Sequence, residues 1–374
     1  MRRGVIPDWM ILELIEAGAI IGADPSMVNT SSIDLKTGNN KWKLVGSFLP
    51  VEGQKIQEVL SSRIIVDVHS DKDPFYVEHM QPYLIELVES LNLPSTVSAR
   101  VFNKSGRGRI GVASKGLTDG NSRFDVVRRG YKGKLYVEVT ATSFPLVIYS
   151  GKTAIPQIRF YEGDPEPLYG SELELLLNKY PILMDDNGNA SYSEAERQEM
   201  IRTGKLTFTA EITSGGLLAY VARKDRRNID LSKIGHYNPL EYFNEVKYMP
   251  CNGNALVIHP GDFVLVNSSQ NIRLPPFLAA EIDEYSPELG DMKTHYAGLI
   301  NASHGYDIED PNIPSHIVFE IRARDMPVVI QNGQPLARFN LFNMLDEPRG
   351  RYMSRRSTGF GDLKSVLPNL FNKK

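Results

Sequence analysis

Residues 104–111, Lys-Ser-Gly-Arg-Gly-Arg-Ile-Gly, combine three cations, one hydroxyl and three glycines directly after a predicted strand. Glycine lets the backbone approach an anion closely, and successive amide groups can point into a concave nest. Arg107 and Arg109 could add charge-assisted hydrogen bonds to phosphate oxygens. The spacing fits neither the Walker motif nor the dinucleotide-binding fingerprint. The run therefore predicts either a phosphate site or a solvated basic hairpin.

Two glutamates, Glu138 and Glu320, stand in the middle of apolar runs. A carboxylate inside an apolar strand is costly unless it is paired or functional, so each is a candidate general base. The alternative is that strand alternation turns the side chains outward, with Tyr136, Glu138 and Thr140 on one polar face. Because the pattern occurs twice, we favour the functional interpretation.

A third candidate lies near the C-terminus, at residues 355–361, Arg-Arg-Ser-Thr-Gly-Phe-Gly. Phe360 could stack on a nucleobase while Arg355 and Arg356 meet phosphates. Basic, glycine-rich tails are usually disordered, which is the alternative for this segment.

The composition narrows the function classes. The chain has 374 residues, 23% of them charged, and a net charge of -3, which gives no global reason to bind a nucleic acid polymer or a membrane. Its single cysteine, Cys251, excludes an internal disulfide, a zinc site of several thiolates, and the Cys-x-x-Cys signature of zinc deaminases. There is no signal-peptide pattern and no run of about 18 apolar residues. We therefore expect a soluble, cytoplasmic protein without zinc.

The chain also repeats itself at an offset of 181 to 182 residues. Four blocks recur in order: Leu93–Arg100 as Leu274–Glu281, Ser105 as Ser286, Glu138 as Glu320, and Ile155–Ile158 as Leu336–Phe339. One match could arise by chance, whereas four in order indicate a duplication.

The elements that must position these residues are mostly strands. Short runs rich in β-branched residues, such as 63–68 and 255–259, are bounded by turn residues and predict a mainly β barrel or jelly-roll fold. One helix is predicted to start after Pro7 and stop at Gly18, and another to begin at the capping box of Ser193. The expected domains are repeat 1 at 1–165, a linker with a helix at 166–204, and repeat 2 with the tail at 205–374.

Together these motifs resemble those of the dUTPase and dCTP deaminase superfamily. Residues 104–111 are similar to its phosphate-binding motif Arg-Ser-Ser/Gly-Leu-Ala-Arg-x-Gly, with Lys104 and Arg107 as departures. Phe124-Asp125 with Gly130-Tyr131-x-Gly133 is similar to its pyrimidine and deoxyribose motif, Ile-Asp…Gly-Tyr/Trp-x-Gly.

The resemblance covers nearly the whole chain. Ala297-Gly298-Leu299-Ile300-Asn301 with Gly305-Tyr306 resembles the pyrimidine motif again, with Asn301 where the family has Asp. Segments 31–35 and 259–263 resemble further deaminase segments, and the tail resembles the dUTPase closing motif. The strand glutamate marks the deaminase branch, and the doubled form resembles the tandem bacterial 2'-deoxycytidine 5'-triphosphate deaminases.

The resemblance implies two tandem dUTPase-like distorted β-barrels (β-clip domains) and zinc-independent hydrolysis of dCTP to dUTP and ammonia, which supplies dUTP for dTMP synthesis. In the family a strand glutamate activates a water that attacks C4 of cytosine, and a carbonyl of the Ala-Gly-x-Ile segment orients it. The Ser and Arg of the glycine motif hold phosphates and the reacting centre, and Mg²⁺ accompanies the triphosphate. The catalytic residues implied here are Glu320, Glu138, Ser105, Arg109 and Ala297. The substrate-binding residues implied are Lys104, Gly106, Arg107, Asp125, Tyr131, Gly298, Ile300, Asn301, Tyr306, Arg356 and Phe360.

The two copies keep different parts of this machinery. In the second copy Gly290 replaces the arginine of the phosphate motif, and Glu288 adds a charge that repels phosphate. Family sites lie between neighbouring subunits of a trimer, so the resemblance implies a homo-oligomer. A composite site would join the groups of both copies: Ser105, Gly106, Arg109, Ala297 and Glu320. The competing placement joins the same phosphate-binding groups to Asp125 and Glu138.

Two other functions remain open. Asp125 matches the carboxylate that activates water in dUTPases, and the Phe360 tail fits that branch, so the chain could cleave dUTP to dUMP, alone or after deamination. The altered phosphate motif of the second copy would also fit an inactive nucleotide-binding regulator. We rank the deaminase first because both strand glutamates are present.

Overall fold

The computed structural model describes residues 2–61, 64–70, 73–212, 219–225, 227–247, 255–283, 292–294, 297–306, 315–350 and 366–372. The chain forms two compact units. The first unit comprises Met1–Pro165, Arg226–Ile234 and Leu345–Gly350, and the second comprises Glu166–Asp225, Gly235–Met344 and Arg351–Lys374.

The first unit is built mainly from strands. Its strands are β1 (Gly4–Val5), β2 (Ile20–Ile21), β3 (Val28–Asn29), β4 (Ser32–Leu44), β5 (Ile65–His69), β6 (Phe75–Val77), β7 (Pro82–Asn92), β8 (Val97–Asn103), β9 (Val112–Thr118), β10 (Val126–Val127), β11 (Lys132–Ala141), β12 (Leu146–Ile148), β13 (Ala154–Glu162) and β17 (Ile229–Asp230). Its helices are α1 (Asp8–Glu16), α2 (Ile56–Leu60) and α3 (Ser105–Gly108).

The second unit has the same character. Its strands are β14 (Leu183–Met184), β15 (Lys205–Thr209), β16 (Ala219–Ala222), β18 (Phe243–Val246), β19 (Ala255–Ile258), β20 (Val264–Ile272), β21 (Leu278–Ile282), β22 (Met292–Lys293), β23 (Leu299–Ile300), β24 (His316–Ala323), β25 (Val328–Gln331) and β26 (Pro335–Asn343). Its helices are α4 (Gly170–Lys179), α5 (Glu194–Thr203) and α6 (Pro239–Tyr242). The predicted mainly β fold class is confirmed.

A large antiparallel sheet organises the first unit in the order β10-β8-β13-β4-β7-β11-β9. Strand β4 pairs with β13 near its start and with β7 further on, and its register shifts between Thr37 and Lys41. Gly38 lies in that shift, and a Cβ there would lie 2.6 Å from the carbonyl oxygen of Glu86 on β7. A glycine is therefore required where β4 bends past β7.

The same pairings recur in the second unit, which confirms the duplication. Ile158 faces Val101 between β13 and β8, and Phe339 faces Ile282 between β26 and β21. Strands β11 and β7 are likewise matched by β24 and β20. Each pair reproduces the sequence offset of 181 to 182 residues.

Residues 166–204, predicted as a linker with a helix, belong to the second unit. Strand β14 pairs with β20 at Leu183 and Ile272, as β2 pairs with β7 at Ile20 and Leu91. Helix α4 precedes β14 as α1 precedes β2. Leu173 lies in the core of the second unit, together with Leu177, Ile182 and Met200. The apolar positions of this segment thus complete the second copy of the fold.

Both predicted helices are confirmed. Helix α1 begins directly after Pro7, and Gly18 follows its end with a φ of 69°. Helix α5 begins after Ser193, whose hydroxyl and the Glu196 carboxylate form a reciprocal capping box. Among the helices that the structure describes, none is long and apolar enough to cross a membrane.

Candidate functional site

The glycine-rich run forms one helical turn, α3, between β8 and β9. The Lys104 amide donates to the Ile155 carbonyl on β13 over 3.2 Å, and the Lys104 carbonyl accepts from the Gly108 amide over 2.9 Å. Gly111 ends the turn with a φ of 71°, and a Cβ there would lie 2.0 Å from the Ser143 hydroxyl. Strand β13 at one end and the loop after β11 at the other thus hold the turn in place.

The cations of this turn are directed into the protein, which rules out the solvated basic hairpin. Lys104 pairs with the buried carboxylate of Asp34 on β4. The Arg107 Nε donates to the Ala154 carbonyl over 3.0 Å, and Arg109 is buried. Burial lowers the pKa of Lys104 and lowers that of Arg107 to about 10. The turn therefore concentrates positive charge in a poorly solvated place.

Glu138 lies in β11 and is only 4% exposed. Its Oε2 accepts a hydrogen bond of 3.3 Å from the Phe48 amide. On β11 it faces Leu84 of β7 and Lys115 of β9. Tyr136, two residues before it, is also buried and packs with the apolar cluster around Trp42, so the alternative of an outward polar face is wrong.

Glu320 occupies the matching place in β24 and is 1% exposed. Its Oε2 accepts a hydrogen bond of 3.0 Å from the Ala297 amide, and its own amide donates to the Thr294 carbonyl over 3.2 Å. The structure thus joins the strand glutamate to the Ala-Gly-x-Ile segment.

Asp125 and Tyr131 bind to their own hairpin. Asp125 has a φ of 64°, and its Oδ1 accepts from the Gly116 amide over 2.6 Å. The Tyr131 hydroxyl donates to the Lys134 carbonyl over 2.7 Å and accepts from the Asp119 amide. Burial raises the pKa of Tyr131 to about 12. These bonds order the loop between β9 and β11.

The register corrects one correspondence between the copies. The Val101 amide donates to the Asp125 carbonyl, and the equivalent Ile282 amide donates to the Gly298 carbonyl. Asp125 therefore corresponds to Gly298, whereas the sequence motif had matched it to Asn301. The motif was misleading because a different number of residues precedes the Gly-Tyr pair in each copy.

The remaining predicted residues divide between the units. Ile300 lies in β23 opposite Ala280, Asn301 is buried, and Tyr306 is exposed. Ser105, Gly106 and Arg109 belong to the first unit, and Ala297 and Glu320 belong to the second. Several predicted residues lie outside the described part of the chain: Ser286, Glu288, Gly290, Arg355, Arg356, Phe360 and Cys251.

Asp34 lies in segment 31–35, which resembles a deaminase segment, but the sequence assigns this residue no role of its own. It stands between two apolar residues of β4, which is the same pattern that drew attention to Glu138. In the part of the chain that the structure describes, no group of three or more His, Cys, Asp or Glu side chains is placed to hold a metal ion.

Comparison with protein families matches both parts of the chain. Residues 2–164 match the 2'-deoxycytidine 5'-triphosphate deaminase (DCD) N-terminal domain, and residues 184–362 match the DCD C-terminal domain. The crystal structure of the 2'-deoxycytidine 5'-triphosphate deaminase from Agrobacterium tumefaciens superposes with a TM-score of 0.81 and 25% identity. The superposition covers 93% of this chain and all of that one.

Curated relatives match less of the chain. A Nocardia farcinica protein named "dCTP deaminase, dUMP-forming" is 29% identical over 129 residues, which are 33% of this chain and 60% of that protein. An Aquifex aeolicus protein of the same name is 28% identical over 175 residues, 45% of this chain and 88% of that protein. Neither alignment extends over half of this chain.

Proposed function

The chain belongs to the 2'-deoxycytidine 5'-triphosphate deaminase family, and we propose that it hydrolyses dCTP at C4 of the cytosine ring. Water and dCTP give dUTP and ammonia: the water oxygen bonds to C4 and the amino group leaves. The reaction needs a base that takes a proton from the water, a proton for the leaving nitrogen, and groups that bind the triphosphate.

The environment of Glu320 is the observation that carries the proposal. This carboxylate is buried in β24, and the Ala297 amide holds one of its oxygens. A carboxylate fixed in this way can take the proton of a water as it attacks C4 and return a proton to the departing amino group. We propose Glu320 as this base, because its partner is the segment that the resemblance assigns to the water.

The turn between β8 and β9 supports the third requirement, binding of the triphosphate. We propose that Ser105, Gly106 and Arg109 hold the triphosphate, together with the half-buried cations Lys104 and Arg107. Positive charge that is already desolvated attracts a polyanion more strongly than the same charge in water. The turn follows a strand whose pairing fixes it, so little reorganisation is required when the nucleotide binds.

We also propose a metal ion and an oligomeric state for the active protein. Mg²⁺ would arrive with the triphosphate, as part of the substrate, and neutralise its charge. The chain would also assemble into a homo-oligomer, as the family resemblance implies. Light scattering on the purified protein and the Mg²⁺ dependence of nucleotide binding test these two points.

A second candidate is that the reaction continues to dUMP. The names of the relatives from Nocardia farcinica and Aquifex aeolicus favour it, and so does the presence of Asp125. A second water would then attack the nucleotide phosphate, and dUTP would give dUMP and pyrophosphate. Asp125→Asn should stop pyrophosphate release and leave ammonia release in place if this second step occurs.

One assay separates these functions. The full chain is incubated with dCTP and Mg²⁺, and ammonia, dUTP, dUMP and pyrophosphate are measured together. Ammonia with dUTP supports deamination alone, and ammonia with dUMP and pyrophosphate supports the two-step reaction. Tight binding of dCTP without release of ammonia would contradict the proposed deaminase activity and support an inactive nucleotide-binding regulator.

A further inference from the structure

The carboxylate of Asp34 is buried beside two half-buried cations. Asp34 lies on β4 and is 2% exposed. It forms an ion pair with the Lys104 ammonium. Arg107 lies in the same turn, three residues after Lys104, and donates to the Ala154 carbonyl on β13. The two cations thus rest on β4 and β13, which pair with each other along this stretch.

The charges of this cluster do not balance. Burial lowers the pKa of both Lys104 and Arg107, and the nearby Asp34 acts in the opposite direction on each. Arg107 and Asp34 are the charged groups that act on the Lys104 ammonium, and the residue of β13 opposite Asp34 is the uncharged Gln157. Among the described residues one carboxylate therefore faces two half-buried cations, and the excess positive charge favours an anionic ligand.

We propose that Asp34 is a positioning residue, which holds Lys104 in place and in its charged form, and supports Arg107, so that both can bind the triphosphate. The inference rests on the proposed function and adds to it a residue that need not touch the nucleotide. On β4 the residues next to Asp34 are Ile33 and Leu35, which are both aliphatic and fully buried. Neither of these two side chains can bind the Lys104 ammonium.

If the Asp34–Lys104 ion pair only stabilised the fold, its loss would not change phosphate binding. A second ion pair on the same strand serves as the matched control. Lys36, two residues after Asp34 on β4, pairs with Asp24 over 2.7 Å. Loss of that pair also removes a Lys–Asp bridge from β4, but it does not touch the turn at residues 104–109. Asp24→Asn therefore reports what the loss of such a bridge does to the fold alone.

The test measures binding of inorganic tripolyphosphate to the full chain by calorimetry between pH 6 and pH 9. For Asp34→Asn we expect the dissociation constant near neutral pH to rise at least about tenfold, the effect of losing one bond to a charged group. The loss should grow as the pH rises, because Lys104 without its carboxylate gives up its proton at a lower pH. The wild type and Asp24→Asn should bind alike, with a flatter pH dependence.

A folded Asp34→Asn protein with the affinity and pH dependence of the wild type would overturn the inference. If that variant does not fold, Asp34→Asn with Lys104→Gln replaces both charges by amides. That double variant should bind weakly with no pH dependence from Lys104, and wild-type affinity would again overturn the inference. Ammonia release from dCTP by the wild type is measured separately. A wild type that binds tripolyphosphate but releases no ammonia would contradict the proposed deaminase function and leave the role of Asp34 to be decided by the binding data.

Discussion

The two strand glutamates occupy equivalent places and have different surroundings. In the first unit β9 runs beside β11 from Val112 to Thr118, and one of its residues faces Glu138 directly. In the second unit the equivalent strand pairs at Met292 and Lys293, and the Thr294 carbonyl after it accepts from the Glu320 amide.

The difference lies in the length of one connection. The chain runs from Ala113 to Val126 in the first unit, and the equivalent segment, from Lys293 to Leu299, is shorter. The shorter path brings the Ala297 amide to Glu320, whereas a separate loop brings the Phe48 amide to Glu138. A duplicated fold can therefore keep a buried carboxylate twice while the contacts of that carboxylate diverge.

The largest expected effect tests whether only one glutamate is the base. Glu320→Gln should lower the rate of ammonia release from dCTP by about 10²–10⁴-fold, the usual contribution of a general base. Glu138→Gln is the matched variant in the other unit, and its rate should stay within about tenfold of the wild type.

Both variants are scored by ammonia release at saturating dCTP, with thermal unfolding as a check on the fold. Equal losses in the two variants would mean that both carboxylates act. A loss confined to Glu138→Gln would transfer the role to the first unit. Full activity in both variants would contradict the hypothesis that a strand glutamate is the general base.

A second contrast concerns a carboxylate in the first unit and an amide in the second. Glu89 on β7 accepts from the Lys36 amide over 3.0 Å, and at the equivalent place Gln270 accepts from the Thr209 amide over 2.9 Å. Glu89 is 1% exposed, and burial raises its pKa to about 7 from its usual 4.5. The nearest charges, Lys36 and Asp24, pair with each other.

Glu89 should therefore make the stability depend on pH. Because the folded state holds the proton more tightly than the unfolded state, its stabilising contribution is complete below about pH 4.5 and is lost as the pH rises through about 7. Glu89→Gln should remove this loss and stabilise the protein at pH 8 by up to about 3 kcal/mol. Calorimetric unfolding at pH 5 and pH 8 measures it. Gln270→Glu should create the same pH dependence in the second unit, and an unchanged pH profile in both would show that neither site titrates in this range.

The third contrast is steric. Gly298 stands where the first unit has Asp125, and a Cβ at Gly298 would lie 2.0 Å from the Cγ2 of Ile282. Gly298→Ala should therefore destabilise the second unit by about 1–3 kcal/mol and displace the neighbouring Ala297 amide from Glu320. Thermal unfolding and the deaminase rate should both fall. Gly46→Ala, where nothing lies within 4 Å of the added Cβ, should change neither.

These contrasts show which parts of the structure the sequence predicts. The duplication, the mainly β fold, α1 and α5 were all predicted, because recurring blocks, β-branched runs and capping residues act locally. The sequence predicts a linker at residues 166–204, because their apolar positions are recognisable as a core only when Leu183 pairs with β20. Long-range pairing decides such cases, and composition does not contain it.

The site follows the same rule. Each glutamate was predicted as a candidate from its apolar neighbours, and burial of both side chains agrees with that reasoning. The partner of Lys104 was not predicted, because Asp34 is 70 residues away along the chain. The match of Asp125 with Asn301 was wrong, because sequence motifs carry no information on hydrogen-bond register when connections differ in length.

The smallest expected effect concerns α5, which lies between β14 and β15 of the second unit, whereas the first unit has the short 3₁₀ helix Pro25–Met27 between β2 and β4. Its first turn depends on the capping box, in which the Ser193 hydroxyl accepts from the Glu196 amide and the Glu196 carboxylate accepts from the Ser193 amide. Ser193→Ala removes one half of the box and should cost about 1 kcal/mol. Ser193→Asp, which can still accept from the amide, should restore most of it. Because α5 contributes Met200 to the core, the loss should appear in thermal unfolding of the second unit. Ammonia release should be unaffected, and a reduced rate in Ser193→Ala would show that α5 supports the site as well as the fold.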